Sequence, residues 1–404
     1  MTEAMPDARS ISTGIWVGVG GRDEPPALAG ASHFLEHLLF KGTESRSATE
    51  IAEAVDAVGG EMNAYTTLEY TAFDTRLPAG RLDLGLDLLC DVVSAPAFRP
   101  AELEAERQVI LEELLMEEDT PDDRVLGVLA EAQFPGHPLG REVLGTRQTI
   151  EAMDGSAVAA FHREWYRPAN LVLACAGALD HDEVVAGVQR RMGAMEGGAA
   201  PVRVPPRKPA KPLQVLRRRT EQVHLAVGAR ALSRCDPDRI ALAVANQVLG
   251  GGLSSRLFQE IRERRGLAYS VFSYTSAWCD AGSLVVYAAT APTRAVEVLG
   301  RIHAELDRLQ SDGITGRELE VATGYLEGSM VLGLEESVSR MARIGKALLV
   351  DGEIIGIDDL VARFRAVTTE DVARVVERVL GPGERTVAVI GSVPRRDLVG
   401  RQVA

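Results

Sequence analysis

Cysteine is scarce in this chain, with four in 404 residues, at positions 90, 175, 235 and 279. No two stand close enough for a C-x-x-C metal site, and Cys90 and Cys175 lie in apolar runs that read as core. That argues against a disulfide framework and makes a reducing cytoplasm the expected setting. Long apolar runs are missing as well. None reaches the roughly 18 residues of a membrane span, so no membrane association is expected. The opening residues, MTEAMPDARS, have neither the basic start nor the apolar stretch of a secretory signal. Positive charge is in deficit: 44 Lys and Arg stand against 58 Asp and Glu, a formal net charge of −14. Non-specific nucleic-acid binding needs a basic face and is not expected. The glycine run in LGGGLSSRL (249–257) lacks the Lys-Ser/Thr that would grip a phosphate.

What is present is a globular balance, 46% hydrophobic and 25% charged, at a length that suits two domains. One stretch breaks the pattern. EGGAAPVRVPPRKPAKPL (196–213) is rich in Pro, Gly, Ala and Lys and reads as a linker. The expected division is therefore 1–195, the linker 196–213, and 214–404.

The two halves resemble each other. Each opens with a short alternating strand, ISTGIWVGV or QVHLAVGA. Each continues with strand residues (EMNAYTTLEYTAFDTRLP; SVFSYTSAWCDAGSLVVYAATAP), an amphipathic helix, a turn and a second helix. Glu102 and Glu318 fall at like places. The order indicates an internal duplication of one α+β unit. The fold class expected is α+β, two homologous domains, each a largely antiparallel sheet with helices packed on one face.

The segment HFLEHLLF has helical periodicity, so His33 and His37, four apart, present two imidazoles to one point. Two imidazole nitrogens at about 2.0–2.1 Å suit zinc, and a catalytic zinc takes three protein ligands and leaves one position open. Glu36 lies on the adjacent edge of that face and could take a proton from a zinc-bound water. The third ligand must come from elsewhere. AELEAERQVILEELLMEE (101–118) offers Glu106 and Glu113, seven apart and so on one helical face, with Glu112 beside them. Spacing alone does not choose among the three.

H-x-x-E-H is the inverzincin motif. The fuller runs HFLEHLLFKGT, GGEMNAYTTLEYTAF and ERQVILEE resemble the pitrilysin/insulinase family of zinc peptidases. So do HPLGREVLGT, YRPANLVLACAG and GGGLSSRLFQEIRERRGLAYSVFS, so the likeness spans nearly the whole chain. It looks closest to the short branch that includes the mitochondrial processing peptidase and its bacterial relatives. The resemblance implies that His33, His37 and Glu113 hold one zinc per chain, that Glu36 is the general base, and that Glu106 supports the site. It implies that Arg262 and Tyr269, in the second half, reach the substrate and its oxyanion. It implies that Asn63 and Ala64 lie on the strand that pairs with the substrate backbone.

The family also implies an endopeptidase acting on unfolded or short peptides inside a clamshell. A homodimer would place the zinc of one subunit opposite Arg262 and Tyr269 of the other. The alternative is a non-catalytic scaffold or partner subunit of a processing-peptidase-like or respiratory complex. Relatives of that kind lose part of the motif, whereas all its positions are filled here. One departure stands out: the family pattern has a strand of N-G-x-x-V type before the segment matching MPDARS, and here little precedes that segment. One edge strand is therefore expected to be missing, which bears on the sheet edge near the site.

Overall fold

The computed structural model describes residues 1–381, 385–394 and 398. In the first half β1 (Thr2–Ala4) and β2 (Ser10–Val17) lead to α1 (Ala31–Leu39) and α2 (Ala48–Asp56). β3 (Glu61–Thr66) and β4 (Thr71–Pro78) follow, then α3 (Leu82–Ser94), α4 (Pro100–Asp119) and α5 (Pro121–Gln133). α6 (Arg147–Ala152), α7 (Gly155–Trp165), β5 (Leu171–Gly177) and α8 (His181–Met192) complete it. The second half runs β6 (Leu213–Leu216), β7 (Val223–Ala231), α9 (Arg239–Gly250), a π-helical turn Phe258–Glu263, β8 (Ala268–Ala277) and β9 (Gly282–Thr290). It ends with α10 (Ala295–Asp312), α11 (Gly316–Gly333), α12 (Ser337–Val350), α13 (Ile357–Arg365), α14 (Thr369–Leu380) and β10 (Thr386–Ile390).

Two five-stranded sheets result, ordered β1-β5-β2-β4-β3 and β6-β10-β7-β9-β8. In each, one terminal pair is parallel (β1 with β5, β6 with β10) and the rest are antiparallel. The orders match strand for strand, which is what a duplicated unit gives. The three-residue strand β1 lies at one edge of its sheet and β3 at the other. An edge strand is thus present where one was expected to be missing, and it lies at the edge away from β3.

Alternation along β2 divides its neighbours. Ile15 and Val17 face a core built with Phe34, Leu35 and Leu38 of α1, Leu89 and Val92 of α3, and Ile110 of α4. Trp16 points the other way. Each half thus packs its own helices on one face of its own sheet. The opposite face is not bare. On the first sheet it receives α12, whose Met341 and Ile344 meet Trp16, Tyr70, Ala72 and Ala174. The hydroxyl of Ser337 lies 2.9 Å from those of Ser10 and Ser12. On the second sheet α5 takes the same part: Val125, Val128 and Leu129 pack on Ala226, Val285, Tyr287 and Ile390.

The compact units are consequently interleaved. The first comprises Met1–Leu115, Glu142–Arg203 and Val331–Ile354; the second comprises Met116–Arg141, Val204–Met330 and the described residues from Ile355 on. The sequence boundary at 196–213 separates the two sheets, since β1 to β5 precede it and β6 begins at its last residue, Leu213, with β7 to β10 after it. It does not separate the units, because a sheet with two apolar faces needs a second cover and each takes it from the other half of the sequence.

α12 comes close enough to the first sheet that a Cβ at Gly345 would overlap the Trp16 ring. Gly345→Ala is therefore expected to lower stability by about 1–3 kcal/mol through overpacking, despite alanine's better helix propensity. Urea melts of parent and variant check this, and an unchanged midpoint would contradict the packing described.

Candidate metal centre

α1 has no capping side chain of its own at its N-terminus. Glu24, buried and six residues upstream of Gly30, supplies one. Its two carboxylate oxygens accept the N–H groups of Gly30 and Ser32, each at 2.7 Å. A carboxylate there satisfies two orphan donors and complements the helix dipole. The helix then buries Phe34, Leu35, Leu38 and Leu39, which leaves His33, Glu36 and His37 on the partly open side.

α4 is laid against α1 by Arg107. Its guanidinium sits 5.5 Å from the Phe34 ring centroid and donates to the carbonyls of Ile150 and Met153. With α4 so placed, Glu113 Oε2 lies 3.7 Å from His33 Nε2 and 3.6 Å from His37 Nε2. Each of the three residues offers a donor atom within 4.8 Å of the others. Those separations are long for hydrogen bonds and near the roughly 3.3 Å edge of a tetrahedron of ligands held about 2.05 Å from an ion. Among the described residues this is the group able to hold a metal. Of the three glutamates that spacing left open, Glu113 faces the imidazoles, Glu106 lies behind them and Glu112 is exposed and outside the group.

Glu106 is buried and its Oε2 lies 3.0 Å from His37 Nδ1, while Lys41 Nζ reaches its Oε1 at 2.9 Å. A carboxylate oxygen paired with Lys41 accepts, so His37 Nδ1 donates to it and Nε2 is the nitrogen turned toward Glu113. His33 Nδ1 is buried without a hydrogen-bond partner. Burial, and then the neighbouring His37, hold the His33 imidazole down at about 4, so it is neutral and fit to be a ligand near pH 7. Glu36 takes a hydrogen bond of 2.5 Å from the Thr66 hydroxyl at the end of β3. Burial raises its carboxyl above the ordinary carboxylate range, against the lowering effects of Thr66 and His37.

Asn63 and Ala64 lie on β3, an edge strand whose one ladder is with β4, where Asn63 faces Asp74 and Ala64 faces Phe73. Asn63 is exposed, while Ala64 turns toward the core. Arg262 and Tyr269 belong to the second compact unit. Arg262 sits on the π-helical turn and Tyr269 at a bulge in β8, the corresponding edge strand. Both are departures from regular structure of the kind common at functional sites. The Arg262 guanidinium is 4.6 Å from the Tyr269 ring centroid and 4.8 Å from that of Phe258, and its Nη1 donates to Tyr269 O at 3.0 Å. Tyr269 is 78% exposed.

Sequence reasoning did not find Thr66, Lys41, Glu24 or Phe258. Lys41 follows His37 by four and Phe258 precedes Arg262 by four, spacings that were readable. Thr66 acts on Glu36 from thirty residues away, and Glu24 caps α1 from six residues before Gly30, outside the usual cap position, so no local pattern marks either.

Two family models match the chain: "Insulinase (Peptidase family M16)" over residues 1–147 and "Peptidase M16 inactive domain" over 153–323. The chain belongs to peptidase family M16. This M16 chain is 45% identical to a protein of Streptomyces coelicolor named an uncharacterized zinc protease, covering 94% of its own length and 85% of that protein's. A Mycobacterium tuberculosis protein of the same description is 44% identical over 94% and 88%, and one from Bacillus subtilis 38% over 92% and 90%. Two solved structures share the fold. One is a protease from Helicobacter pylori, with a TM-score of 0.89 at 23% identity and 96% of both chains covered. The other is a peptidase M16 inactive domain from Pseudomonas fluorescens, with a TM-score of 0.91 at 20% identity and 96% and 95% covered. No helix among the described residues is long and apolar enough to cross a membrane.

The low value at His33 has a consequence in the metal-free protein. The unfolded chain protonates this histidine near 6.5 and the folded one only near 4, so between those values the unfolded state binds more protons. Stability from this group is full above 6.5 and is lost as pH falls through the window. Relative to His33→Gln, the chelator-treated parent is expected to lose up to about 3 kcal/mol between pH 7 and 4. Urea melts at stepped pH check this, and parallel curves would contradict it.

Proposed function

We propose that this M16 chain is a zinc-dependent endopeptidase acting on unfolded peptides. The observation that carries the reading is the convergence of His33, His37 and Glu113 on one point, with Glu106 fixing the tautomer of His37. Two imidazoles and one carboxylate form a donor set suited to zinc, with a fourth position left open. The names of the zinc-protease relatives support the same metal. Zinc, when bound, acidifies a water and polarises a carbonyl.

The chain's own residues do the rest. Thr66 engages Oε2 of Glu36 and leaves Oε1 to receive a proton from water and return it to the leaving amine. Burial has moved the Glu36 carboxyl upward, toward the operating range of a general base. The open edge of β3 suits an extended peptide added as a further strand, with main-chain hydrogen bonds giving affinity and little sequence preference. That requirement selects unfolded segments. Arg262 is held by two rings and a carbonyl and would, with Tyr269, engage the substrate carbonyl as charge develops on it. In a homodimer those two residues would act on the zinc site of the partner subunit. A scaffold role accounts less well for a complete donor set that keeps both its base and its supporting carboxylate.

Glu36→Gln is expected to keep one zinc per chain and to slow cleavage of a quenched fluorescent peptide at least about 100-fold. Parent-like cleavage by that variant would end the proposal. For the shared site, His37→Ala and Arg262→Ala are each expected to be inactive alone and to recover part of the activity when mixed. No recovery would assign each site to a single chain.

A further inference from the structure

The proline-rich stretch between the sheets carries one side chain that does not behave as linker. Val202 is 93% exposed and Val204 54%, yet the side chain of Arg203 between them is 16% exposed. Its Nε and Nη2 grip the two oxygens of Asp23, each at 2.8 Å. Nη2 also donates to the carbonyls of Gly18 at 3.2 Å and Glu69 at 2.6 Å, and Nη1 lies 3.8 Å from the Glu69 carboxylate. The side chains of Asp23 and Glu69 are each 2% exposed, and Glu69 pairs with Arg22 at 2.7 Å. Two guanidiniums and two carboxylates thus share one nearly dry nest, where removing one member costs the buried charges part of their pairing.

The segments joined there are the two that flank Glu36. Residues 18–24 lead into Glu24, the cap of α1. Residues 66–70 form the turn from β3 to β4 and begin with Thr66, the hydrogen-bond partner of Glu36. Gly21 N bonds to Thr67 O at 3.1 Å and Arg22 N to Leu68 O at 2.8 Å, so the segments run side by side. Arg203 bridges both from outside, and it is the last residue of the first compact unit before the chain passes into the second.

We propose that Arg203 is a positioning residue: from the linker it clamps the β3–β4 turn to the loop that caps α1, and so holds the Thr66 hydroxyl against Glu36. This rests on the reading of Glu36 as the base, whereas the clamp itself does not. The planar fork matters as much as the charge, because a lysine ammonium cannot span a carboxylate edge and two carbonyls together.

The test uses the full zinc-loaded chain with Arg203→Ala, Arg203→Lys and Asp23→Asn. Hydrogen exchange reads the clamp without reference to activity. In Arg203→Ala the amides of Gly21 and Arg22 are expected to exchange at least about tenfold faster, with those of β2 unchanged. kcat is expected to fall about tenfold, with KM within about twofold and zinc content unaltered. Arg203→Lys should restore less than half of the lost kcat, and adding Asp23→Asn to Arg203→Ala should cost little more than either alone. Three results would each overturn the proposal: unchanged exchange, faster exchange with parent-like kcat, or a fall in kcat matched by lost zinc. Should Arg203→Ala not fold, Arg203→Gln carries the same readouts. If the unsubstituted chain cleaves nothing, the peptidase reading fails by itself, and the exchange rates still decide whether Arg203 clamps the turn.

Discussion

Glu24 gives both carboxylate oxygens to the first amides of α1, and that pair of bonds fixes where the helix begins. A helix started one residue later would turn its side chains by about 100°. Phe34, Leu35, Leu38 and Leu39 would then leave the core, and His33 and His37 would no longer face Glu113. The cap and the apolar stripe therefore specify the same rotation. Arg107 fixes the other half of the arrangement by seating α4 on Phe34. The site is geometric before it is chemical: three donors meet because two helices are held in register by a buried anion at one end and a buried cation at the crossing.

The local part of this was legible in the sequence. Two histidines one turn apart in an apolar segment specify a shared face, and the linker and the repeated order of elements mark two sheets. Glu113 could not be separated from Glu106 and Glu112 by spacing, because the rotation of α4 depends on contacts with α1 and with the carbonyls of Ile150 and Met153. The second cover on each sheet was not read, although a signal existed. β9 is buried at all nine positions, and an uninterrupted run such as GSLVVYAAT belongs to a strand enclosed on both faces. What that run could not say is which segment encloses it. Ser337 meets Ser10 and Ser12 across more than three hundred residues, and no periodicity encodes such a pairing.

The centre also departs from the rules that hold elsewhere in the chain. Glu36 is a carboxyl drawn out of water, His33 is an imidazole kept neutral with one nitrogen unpartnered, and Glu106 and Asp23 are buried anions answered by Lys41 and Arg203. Each would be destabilising in an ordinary core. They are tolerated together because the surrounding β2, α1, α3 and α4 core is continuous and apolar. Local conflict confined to a few positions inside an otherwise consistent fold is the pattern expected where chemistry, rather than stability, has chosen the residues.

The lending of α12 to the first sheet bears on how the chain comes into being. A ribosome releases β2, β4 and β5 long before it has made residues 337–350, so Trp16, Tyr70 and Ala174 stay uncovered on a nascent sheet until that later segment emerges. The first half cannot mature ahead of the second, and neither could be passed on by gene fission without exposing a greasy surface. Once doubled and interlaced in this way, the two copies are bound to a common fate.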